Sequence, residues 1–213
     1  RDLKYNNIDE VINGNAQYGV ADSILILYRL KQQPVVIVSP IFQHSPSVFI
    51  SLKKSNISSV YELNNKDILF YPNDTDGFSL LAMIKKFDLD VNLVRERYKD
   101  DYMRLINNEV DVMPAYIANE PFLFKEKGYD VNIINPTNYG FDMYGDMLFT
   151  NEDEAKNNPI RVEKFKEATL KGWKYALENK EEIIQLIHEK YSKEKSIEHL
   201  RYEANATDSL INK

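Results

Sequence analysis

The chain has no cysteine, only three histidines and none of the common catalytic signatures in its 213 residues. Without cysteine it has no disulfide framework, no cysteine-ligated iron–sulfur centre and no thiol nucleophile. Two of the histidines, His188 and His199, lie in charged C-terminal segments, so a metal site with several histidine ligands is not expected. The phosphate-loop, dinucleotide, zinc-protease and serine-hydrolase motifs are all missing. These absences predict a protein that is not an enzyme and that carries no cofactor.

An excess of basic charge and a long apolar run are also missing. The net charge is -6 and the isoelectric point is near 5.2, so the chain offers little attraction to a nucleic acid or an anionic membrane. We therefore expect no nucleic-acid partner. No run approaches the roughly 18 apolar residues of a membrane-spanning helix, so membrane contact is expected only through a segment outside this chain or through a partner. Hydrophobic residues make up 43% of the chain, enough for the core of one large domain or two lobes.

The most informative stretch runs from Val35 to Leu52. It contains two apolar runs rich in β-branched residues, Val35–Val38 and Ser47–Leu52, and neither has the length or period of an amphipathic helix. Both are predicted to be buried strands. The turn between them, Ile41–Pro46, places an aromatic ring, an amide, an imidazole and a hydroxyl at strand ends, where small-molecule sites are usually built.

The rest of the chain alternates short apolar strands with helices, which is the pattern of an α/β fold. The predicted strands are Tyr18–Ala21, Val35–Val38, Ser47–Leu52, Ile68–Tyr71, Val91–Arg95, Val110–Ala115, Val131–Ile134 and Met147–Thr150. The predicted helices before Asn151 are Ile8–Asn13, Ile24–Leu30, Ser58–Leu63, Phe78–Phe87, Asp101–Asn107 and a segment from a cap at Asn119 to Gly128. Three helices close the chain: an amphipathic one with Trp173 on its apolar stripe, then Lys180–Tyr191 and Ser196–Thr207.

Polar and aromatic side chains follow the ends of the predicted strands. In open α/β sheets the carboxyl ends of the strands form the edge where ligands bind. The candidate site residues are Asp22, Ser23, Gln43, His44, Ser45, Asp76, Gly77, Tyr116, Asn119, Glu120, Tyr139, Tyr144 and Asp146. We interpret this set as the lining of a small-molecule site.

Several of these residues have a structural alternative. Asp22 could cap the helix that follows it, and the loop that contains Asp76 could be an ordinary solvated turn. Tyr139 and Tyr144 could pack at a hinge. Glu120 is harder to explain by structure alone, since its carboxylate stands beside an aromatic residue, an amide and a proline. We expect a Glu120→Ala variant to lose ligand binding and to keep the stability of the ligand-free protein.

Five segments together resemble a known family. They are GVADS at Gly19–Ser23, FQHSP at Phe42–Pro46, YIANEP at Tyr116–Pro121, YGDMLFT at Tyr144–Thr150 and KGWKYA at Lys171–Ala176. In this order and spacing they resemble the solute-binding proteins of the thiamine-pyrimidine-precursor type, the NMT1/THI5-like and SsuA-like group with the type II periplasmic binding protein fold. The resemblance runs along nearly the whole chain. Members of this group also occur as extracytoplasmic sensor domains of bacterial histidine kinases and diguanylate cyclases.

The resemblance implies an α/β protein of two lobes with a ligand cleft between them. Residues 1–69 plus 146–213 would form lobe one and residues 70–145 would form lobe two. Closure around the ligand would be a hinge motion. The family begins with a further strand, helix and strand, and this chain begins after them. Lobe one is therefore expected to lack its first strand–helix–strand.

The ligand implied by the resemblance is a small planar nitrogen heterocycle such as an aminopyrimidine. Tyr116 or Tyr139 would stack on the ring. Glu120 would accept hydrogen bonds from an exocyclic amine and a ring N–H. The polar rim would be completed by Asn119, Gln43 and His44. The protein would bind this small molecule in the periplasm or another extracytoplasmic space.

Three functions stay open at this point. The first is non-catalytic solute binding, either for uptake through an ABC permease or for sensing as part of a membrane signalling protein. The second is the pyrimidine synthase of the same fold, which the resemblance associates with a cysteine-rich iron motif and a lysine-bound pyridoxal phosphate, and the lack of cysteine argues against it. The third is a degenerate lobe that serves only as an interaction module. The sequence does not indicate an oligomeric state.

Overall fold

The computed structural model describes residues 6–70, 78–94 and 101–212. In chain order its helices and strands are α1 (Asn7–Ile12), β1 (Tyr18–Ala21), α2 (Leu25–Leu30), β2 (Val35–Phe42), β3 (Ser47–Leu52), β4 (Asp67–Leu69), α3 (Phe78–Lys86), β5 (Asn92–Val94), α4 (Asp101–Ile106), β6 (Met113–Tyr116), α5 (Glu120–Glu126), β7 (Val131–Ile134), β8 (Gly145–Asn151), α6 (Glu152–Asn157), α7 (Pro159–Glu178), α8 (Lys180–Lys190) and α9 (Ile197–Ile211). Short 3-10 helices lie at Lys53–Ser55, Val60–Leu63 and Pro136–Tyr139. Contacts divide the chain into two compact units, called here unit 1 (Arg1–Ser45 with Met143–Lys213) and unit 2 (Pro46–Asp142).

Unit 1 is built on a sheet in which β8 lies between β1 and β2 and runs antiparallel to both. Met147 and Phe149 of β8 join Ala21 and Val35 in an apolar core that also takes side chains from α1 and α2. Gly19 lies opposite Phe149, and a Cβ atom on Gly19 would stand only 2.6 Å from the Phe149 ring. The close packing of β1 against this ring therefore requires glycine at position 19.

The C-terminal helices belong to unit 1 as well. Phe165 of α7 stacks on Tyr18 with ring centroids 4.1 Å apart, and Trp173 of α7 meets Phe42 edge to face at 6.0 Å. Two ion pairs join α8 to α9, Lys180 with Asp208 and Glu181 with Arg201. Within the three described ranges, no helix is both long enough and apolar enough to span a membrane.

Unit 2 is organised around β3, whose six residues are all buried. β3 pairs antiparallel with β6 on one side and with β7 on the other. Alternate residues of β3 pack in two different apolar cores. Phe49 packs in a cluster with Leu80 and Met83 of α3, whereas Ile50 packs in a cluster with Phe124 of α5. β4 and β5 pair in parallel, and an isolated bridge joins β4 to the residue before β6. Helices thus cover both faces of the sheet, as the predicted α/β layering requires.

The division between the units differs from the predicted one, which placed residues 1–69 with 146–213 and left 70–145 as the second lobe. Unit 2 begins at Pro46 and ends at Asp142. The reason is β3, which takes both of its strand partners, β6 and β7, from unit 2. The segment 47–69 therefore belongs to unit 2, where its apolar side chains complete both cores.

β2 is longer than the strand predicted at Val35–Val38. It continues to Phe42, so the first two residues of the predicted turn belong to the strand. Phe42 pairs with Gly145 of β8, and a register shift between Ile37 and Ser39 accompanies the extension. The predicted turn is therefore limited to the four residues before β3. The end of β2 is set by its pairing with β8, which is distant in sequence.

The C-terminal region holds one helix more than predicted. The short α6 precedes the three expected helices, because Oδ1 of Asn151 accepts the backbone N–H of Glu154 at 2.8 Å and caps a new helix. The predicted ends of two strands, at Tyr71 and Arg95, lie outside the described residues.

Candidate functional site

The strand directions bring the polar segments of unit 1 to one edge of its sheet. β1 and β2 both run antiparallel to β8, so the carboxyl ends of β1 and β2 lie beside the start of β8. Ala21 pairs with Met147, and Phe42 pairs with Gly145. The candidate residues carried at or next to this edge are Asp22, Ser23, Gln43, His44, Ser45, Tyr144 and Asp146.

Asp22 and Ser23 are almost fully buried at the end of β1. Oδ1 of Asp22 accepts the backbone N–H of Ile24 at 2.8 Å, and Oγ of Ser23 donates to the carbonyl oxygen of Tyr144 at 2.6 Å. Asp22 thus stabilises the turn into α2, the structural role that the sequence left open, and Ser23 ties the end of β1 to the segment before β8. Their contacts with a ligand stay predictions.

The segment after β2 is attached to the last helix. The backbone N–H groups of Gln43 and His44 both donate to the carbonyl oxygen of Leu210 in α9, at 2.9 and 3.4 Å. Ser45 is buried, whereas Gln43 and His44 are half-buried. α9 therefore fixes the main chain that carries the amide of Gln43 and the imidazole of His44.

Asp146 has an unusual backbone. It is the second residue of β8 and has a φ of +40°, in the left-handed region that residues with a side chain rarely adopt. Tyr144, two residues earlier in the chain, is half exposed. Backbone strain of this kind concentrates at functional sites, and here it lies beside the carboxyl ends of β1 and β2.

Unit 2 has its own group of candidates at the carboxyl end of β6. β6 and β7 run antiparallel to β3, and Tyr116, the last residue of β6, pairs with Ser47, the first residue of β3. The backbone N–H of Tyr116 donates to Oε2 of Glu120 at 2.7 Å. Nδ2 of Asn119 donates to Oε1 of the same carboxylate at 2.8 Å. Tyr116, Asn119 and Glu120 thus form one hydrogen-bonded loop, which we call the Glu120 loop.

Asn119 takes the predicted N-cap position of α5, but its side chain makes no capping hydrogen bond. Its side-chain amide donates to the Glu120 carboxylate. The helix does begin where the sequence predicts, with Pro121 in its first turn.

Glu120 is held in place from within its own loop. A carboxylate offers about four acceptor positions, and the two hydrogen bonds of the Glu120 loop engage both of its oxygens. The residue is partly buried. A contact between this carboxylate and a ligand stays a prediction.

Tyr139 packs within unit 2. Its hydroxyl accepts the backbone N–H of Val60 at 3.2 Å, and its ring meets Phe87 edge to face at 5.8 Å. These contacts give Tyr139 a packing role, which the sequence left open, and stacking on a ligand stays a prediction. Asp76 and Gly77 lie outside the described residues.

A polar network around Glu154 in unit 1 was not anticipated from the sequence. The Glu154 carboxylate is 7% exposed and accepts from the Tyr18 hydroxyl at 2.9 Å, the Asn158 amide at 3.0 Å and Nε of Arg161 at 2.6 Å. The hydrogen bond from Arg161 lowers the pKa of Glu154, while burial and the hydrogen bond to Glu154 raise the pKa of Tyr18. The spacing of Asn151 and Glu154, typical of a capping box, was the available signal.

A metal site finds no support in the part of the chain that the structure describes. Among those residues, no group of three or more histidine, aspartate or glutamate side chains is placed to hold a metal ion. The described side chains at the two sheet edges offer hydrogen-bonding groups and aromatic rings, the groups that line binding sites for small organic molecules.

Comparison with known proteins gives related sequences. Residues 4–183 match the sequence model of the family described as NMT1/THI5 like. The formylaminopyrimidine-binding protein of Halalkalibacterium halodurans is 30% identical over 167 residues, which cover 76% of this chain and 51% of that protein. The riboflavin-binding protein RibY of Chloroflexus aurantiacus is 26% identical over 166 residues, which cover 76% of this chain and 47% of that protein. The chain thus spans about half the length of these curated relatives.

Solved structures with the same fold confirm the predicted fold class. The alkanesulfonate-binding protein SsuA from Xanthomonas axonopodis pv. citri, bound to MOPS, superposes with a TM-score of 0.73 at 13% identity, covering 93% of this chain and 68% of that one. The periplasmic aliphatic sulphonate-binding protein SsuA from Escherichia coli gives a TM-score of 0.72 at 13% identity, with the same coverage. The α/β fold of type II periplasmic binding proteins is therefore present in this chain.

Proposed function

Because this chain belongs to the NMT1/THI5-like family, we propose that it binds a small solute, and that the solute is a thiamine-precursor-like aminopyrimidine or a related small heterocycle. The formylaminopyrimidine-binding relative supports this ligand class. The other relatives are named for riboflavin and for alkanesulfonates. The choice among these ligand classes therefore depends on the site residues of this chain.

The main support for this choice is the Glu120 carboxylate, which follows β6 and accepts one hydrogen bond on each oxygen from donors of its own loop. In this proposal the ligand takes the remaining acceptor positions of the carboxylate. An aminopyrimidine presents N–H donors in the plane of its ring, and a hydrogen bond to a charged acceptor is stronger than one to a neutral acceptor. Tyr116 places an aromatic ring in the same loop, where it can stack on a flat heterocycle. A sulfonate would instead require donors, and a free carboxylate would repel its charge.

The remaining candidates are assigned secondary roles in this proposal. Gln43 and His44 supply an amide and an imidazole on a main chain that α9 fixes. The other proposed contacts are Asp22, Ser23, Ser45, Asp76, Gly77, Tyr139, Tyr144 and Asp146. The ligand cleft between two lobes that the resemblance implies stays a prediction.

We place the binding reaction outside the cytoplasm, in the periplasm or an equivalent space. The structural relative from Escherichia coli, which is named as a periplasmic binding protein, supports this location. Two partners are compatible with it: the permease of an ABC importer and the signalling domain of a membrane sensor. A gene that encodes a membrane-spanning helix and a kinase or cyclase domain in the same protein would identify the sensor.

The pyrimidine-synthase alternative has little support. That enzyme relies on a cysteine-rich motif, and this chain has no cysteine. The sequence relatives reported above are named as binding proteins. An absorbance band of bound pyridoxal phosphate in the purified protein would reverse this preference.

Native mass spectrometry followed by thermal shift tests the proposal. The panel contains aminopyrimidines, thiamine, riboflavin, amino acids and alkylsulfonates. A co-purifying pyrimidine mass, or a rise in melting temperature that only the pyrimidines produce, supports the proposed ligand class, since a ligand that prefers the folded state stabilises it. A shift with sulfonates alone contradicts the ligand class. No shift with any compound, together with a stable dimer in light scattering, favours the interaction module.

A further inference from the structure

The segment after β2 closes the end of the last helix. The final carbonyl groups of a helix have no partner within it. The carbonyl oxygen of Leu210, one residue before the end of α9, accepts the backbone N–H of Gln43 at 2.9 Å and that of His44 at 3.4 Å. A carbonyl oxygen has two lone pairs and can accept both donors. We call these two hydrogen bonds the Leu210 contact, and both of its donors are candidate ligand-binding residues.

The last turn of α9 has a side that is not filled by packing. A cavity of about 430 Å³ lies beside this turn. Its lining includes Ile41, Trp173, Leu177, Ile211 and Asn212. A cavity offers no atoms for its lining to pack against, so dispersion contacts are lost there. The last turn therefore depends more on its hydrogen bonds to the segment after β2 than a turn in a filled core would.

Neighbouring contacts hold both sides of the Leu210 contact. On one side, Asp208 forms an ion pair with Lys180 of α8. On the other side, Phe42, the residue before Gln43, meets Trp173 of α7 edge to face at 6.0 Å. The contact thus joins two anchored segments, and the position of the last turn of α9 sets the position of the main chain at Gln43.

We propose that the last turn of α9 is a positioning element for Gln43 and His44, and that its order is coupled to ligand binding. This inference rests on the proposed function, in which both side chains contact the solute. Such a solute binds more tightly when Leu210 holds the main chain of these residues than when the contact is open. By reciprocity, the bound solute stabilises the Leu210 contact by the same factor. Occupancy of the site is thereby transmitted to the C-terminal helix.

Amide hydrogen exchange measures this coupling directly. Formylaminopyrimidine, used as the probe at saturating concentration, is expected to slow exchange in the last turn of α9, because a more stable Leu210 contact makes the turn open less often. The last turn of α8, which ends at Lys190, provides the internal control and should exchange at the same rate with and without the compound. A purely structural role of α9 would leave both turns unchanged and would contradict the coupling.

Substitutions at Ser209 test the coupling in the other direction. Ser209 is exposed in the last turn of α9, and proline there removes a helical hydrogen bond and clashes with the preceding turn. Isothermal titration of Ser209→Pro with formylaminopyrimidine is expected to show binding about three- to tenfold weaker than wild type, since fewer molecules hold the Leu210 contact. Ser209→Gly loosens the turn less and is expected to fall between the two.

Glu189→Pro is the matched control for these variants. It makes the same backbone change at an exposed position in the last turn of α8 and is expected to bind formylaminopyrimidine like the wild-type chain. Circular dichroism checks that each variant is folded. Equal losses of affinity in Ser209→Pro and Glu189→Pro would contradict a positioning role of α9, because fraying of any helix end would then have the same effect.

The outcomes separate this inference from the proposed function. If formylaminopyrimidine binds, but neither the exchange in α9 nor the Ser209 variants respond, the coupling is contradicted and solute binding stands. If another solute of the panel binds instead, the aminopyrimidine class is contradicted, and the same measurements with that solute support or contradict the coupling. If no solute binds, the proposed function and the coupling are both contradicted.

Discussion

The carboxylate of Glu120 accepts the backbone N–H of Tyr116 at 2.7 Å, across the turn that links β6 to α5. The residue with the clearest predicted role in binding therefore also satisfies a main-chain donor. Substituting Glu120 removes a potential ligand contact and leaves a partly buried N–H without its acceptor, so stability and binding must be measured separately.

Glu120→Ala is expected to destabilise the ligand-free chain by about 1–3 kcal/mol, the usual cost of leaving a buried polar group unpaired. This expectation takes account of the hydrogen bond from Tyr116 and differs from the expectation drawn from sequence, that the empty protein would keep its stability. Urea unfolding followed by circular dichroism measures the change. Glu120→Gln retains an oxygen for the Tyr116 N–H, so its free energy of unfolding should fall clearly less than that of Glu120→Ala. Equal losses in both variants would show that charge, rather than the hydrogen bond, stabilises the turn.

Gly19→Ala is expected to destabilise unit 1 by about 1–3 kcal/mol, the typical cost of overpacking a core. The added methyl group would stand 2.6 Å from the ring of Phe149. Gly172→Ala is the matched control, because a Cβ atom at position 172 of α7 meets nothing within 4 Å. Alanine inside a helix should stabilise it by about 0.5–1 kcal/mol. The two variants are expected to shift the melting temperature in opposite directions. A Gly19→Ala variant with the melting temperature of the wild type would contradict the packing of β1 on Phe149.

Stability should fall in acid partly through Glu154. The hydrogen bond from Arg161 lowers the pKa of Glu154 below its ordinary value of 4.5, so the unfolded state binds the proton more readily than the folded state. The contribution of Glu154 is thus fully present above that ordinary value and is lost as the pH falls through the lower pKa of the folded state. Glu154→Gln should reduce the slope of unfolding free energy against pH in this acid range.

The exposed Glu163 provides the control for that measurement. It pairs with Lys166 on the surface of α7 at 3.3 Å, and exposed pairs contribute about 0–1 kcal/mol. Glu163→Gln should leave the acid slope of the unfolding free energy nearly unchanged. If Glu154→Gln leaves that slope at its wild-type value, the network of Tyr18, Glu154 and Arg161 does not supply the acid-dependent stability.

Asp146→Gly separates backbone strain from ligand contact at the unit 1 edge. Asp146 has a φ of +40°, and glycine adopts this conformation without the cost of a Cβ atom. The variant is expected to fold with stability close to wild type and to bind the ligand more weakly if the carboxylate contacts it. Asp146→Asn keeps the side-chain length and the tolerance for a left-handed backbone. Full ligand affinity in both variants would remove Asp146 from the site.

Short strands were the most predictable part of the fold. Tyr18–Ala21, Ser47–Leu52 and Val131–Ile134 were predicted with the bounds that the structure shows, because short runs rich in apolar residues between turn residues are local signals. The extension of β2 to Phe42 depends on pairing with Gly145, which no local window contains. The unit boundary at Pro46 likewise follows from the partners of β3.

The places of the described candidate residues relative to the strands were predictable, but their hydrogen bonds were not. The candidate residues come directly after predicted strands, and hydrophobic periodicity reveals where those strands end. The direction of the strands then brings these residues to the sheet edges. Which hydrogen bond each side chain makes depends on angles that sequence does not specify. Asn119 is the N-cap residue of α5 as predicted, but its side-chain amide donates to Glu120. Asp22 stabilises the turn into α2.

Titration of the wild-type chain and its Glu120→Gln variant with formylaminopyrimidine tests the central claim most directly. The wild-type chain is expected to bind one molecule per chain with a measurable heat, and Glu120→Gln to bind at least about tenfold more weakly, since a charged hydrogen bond is lost. The unfolding free energy of the variant should remain close to wild type, which shows that the fold is intact. Equal binding by both proteins, or no binding by the wild-type chain, would contradict the assignment of Glu120 as the residue that recognises an aminopyrimidine.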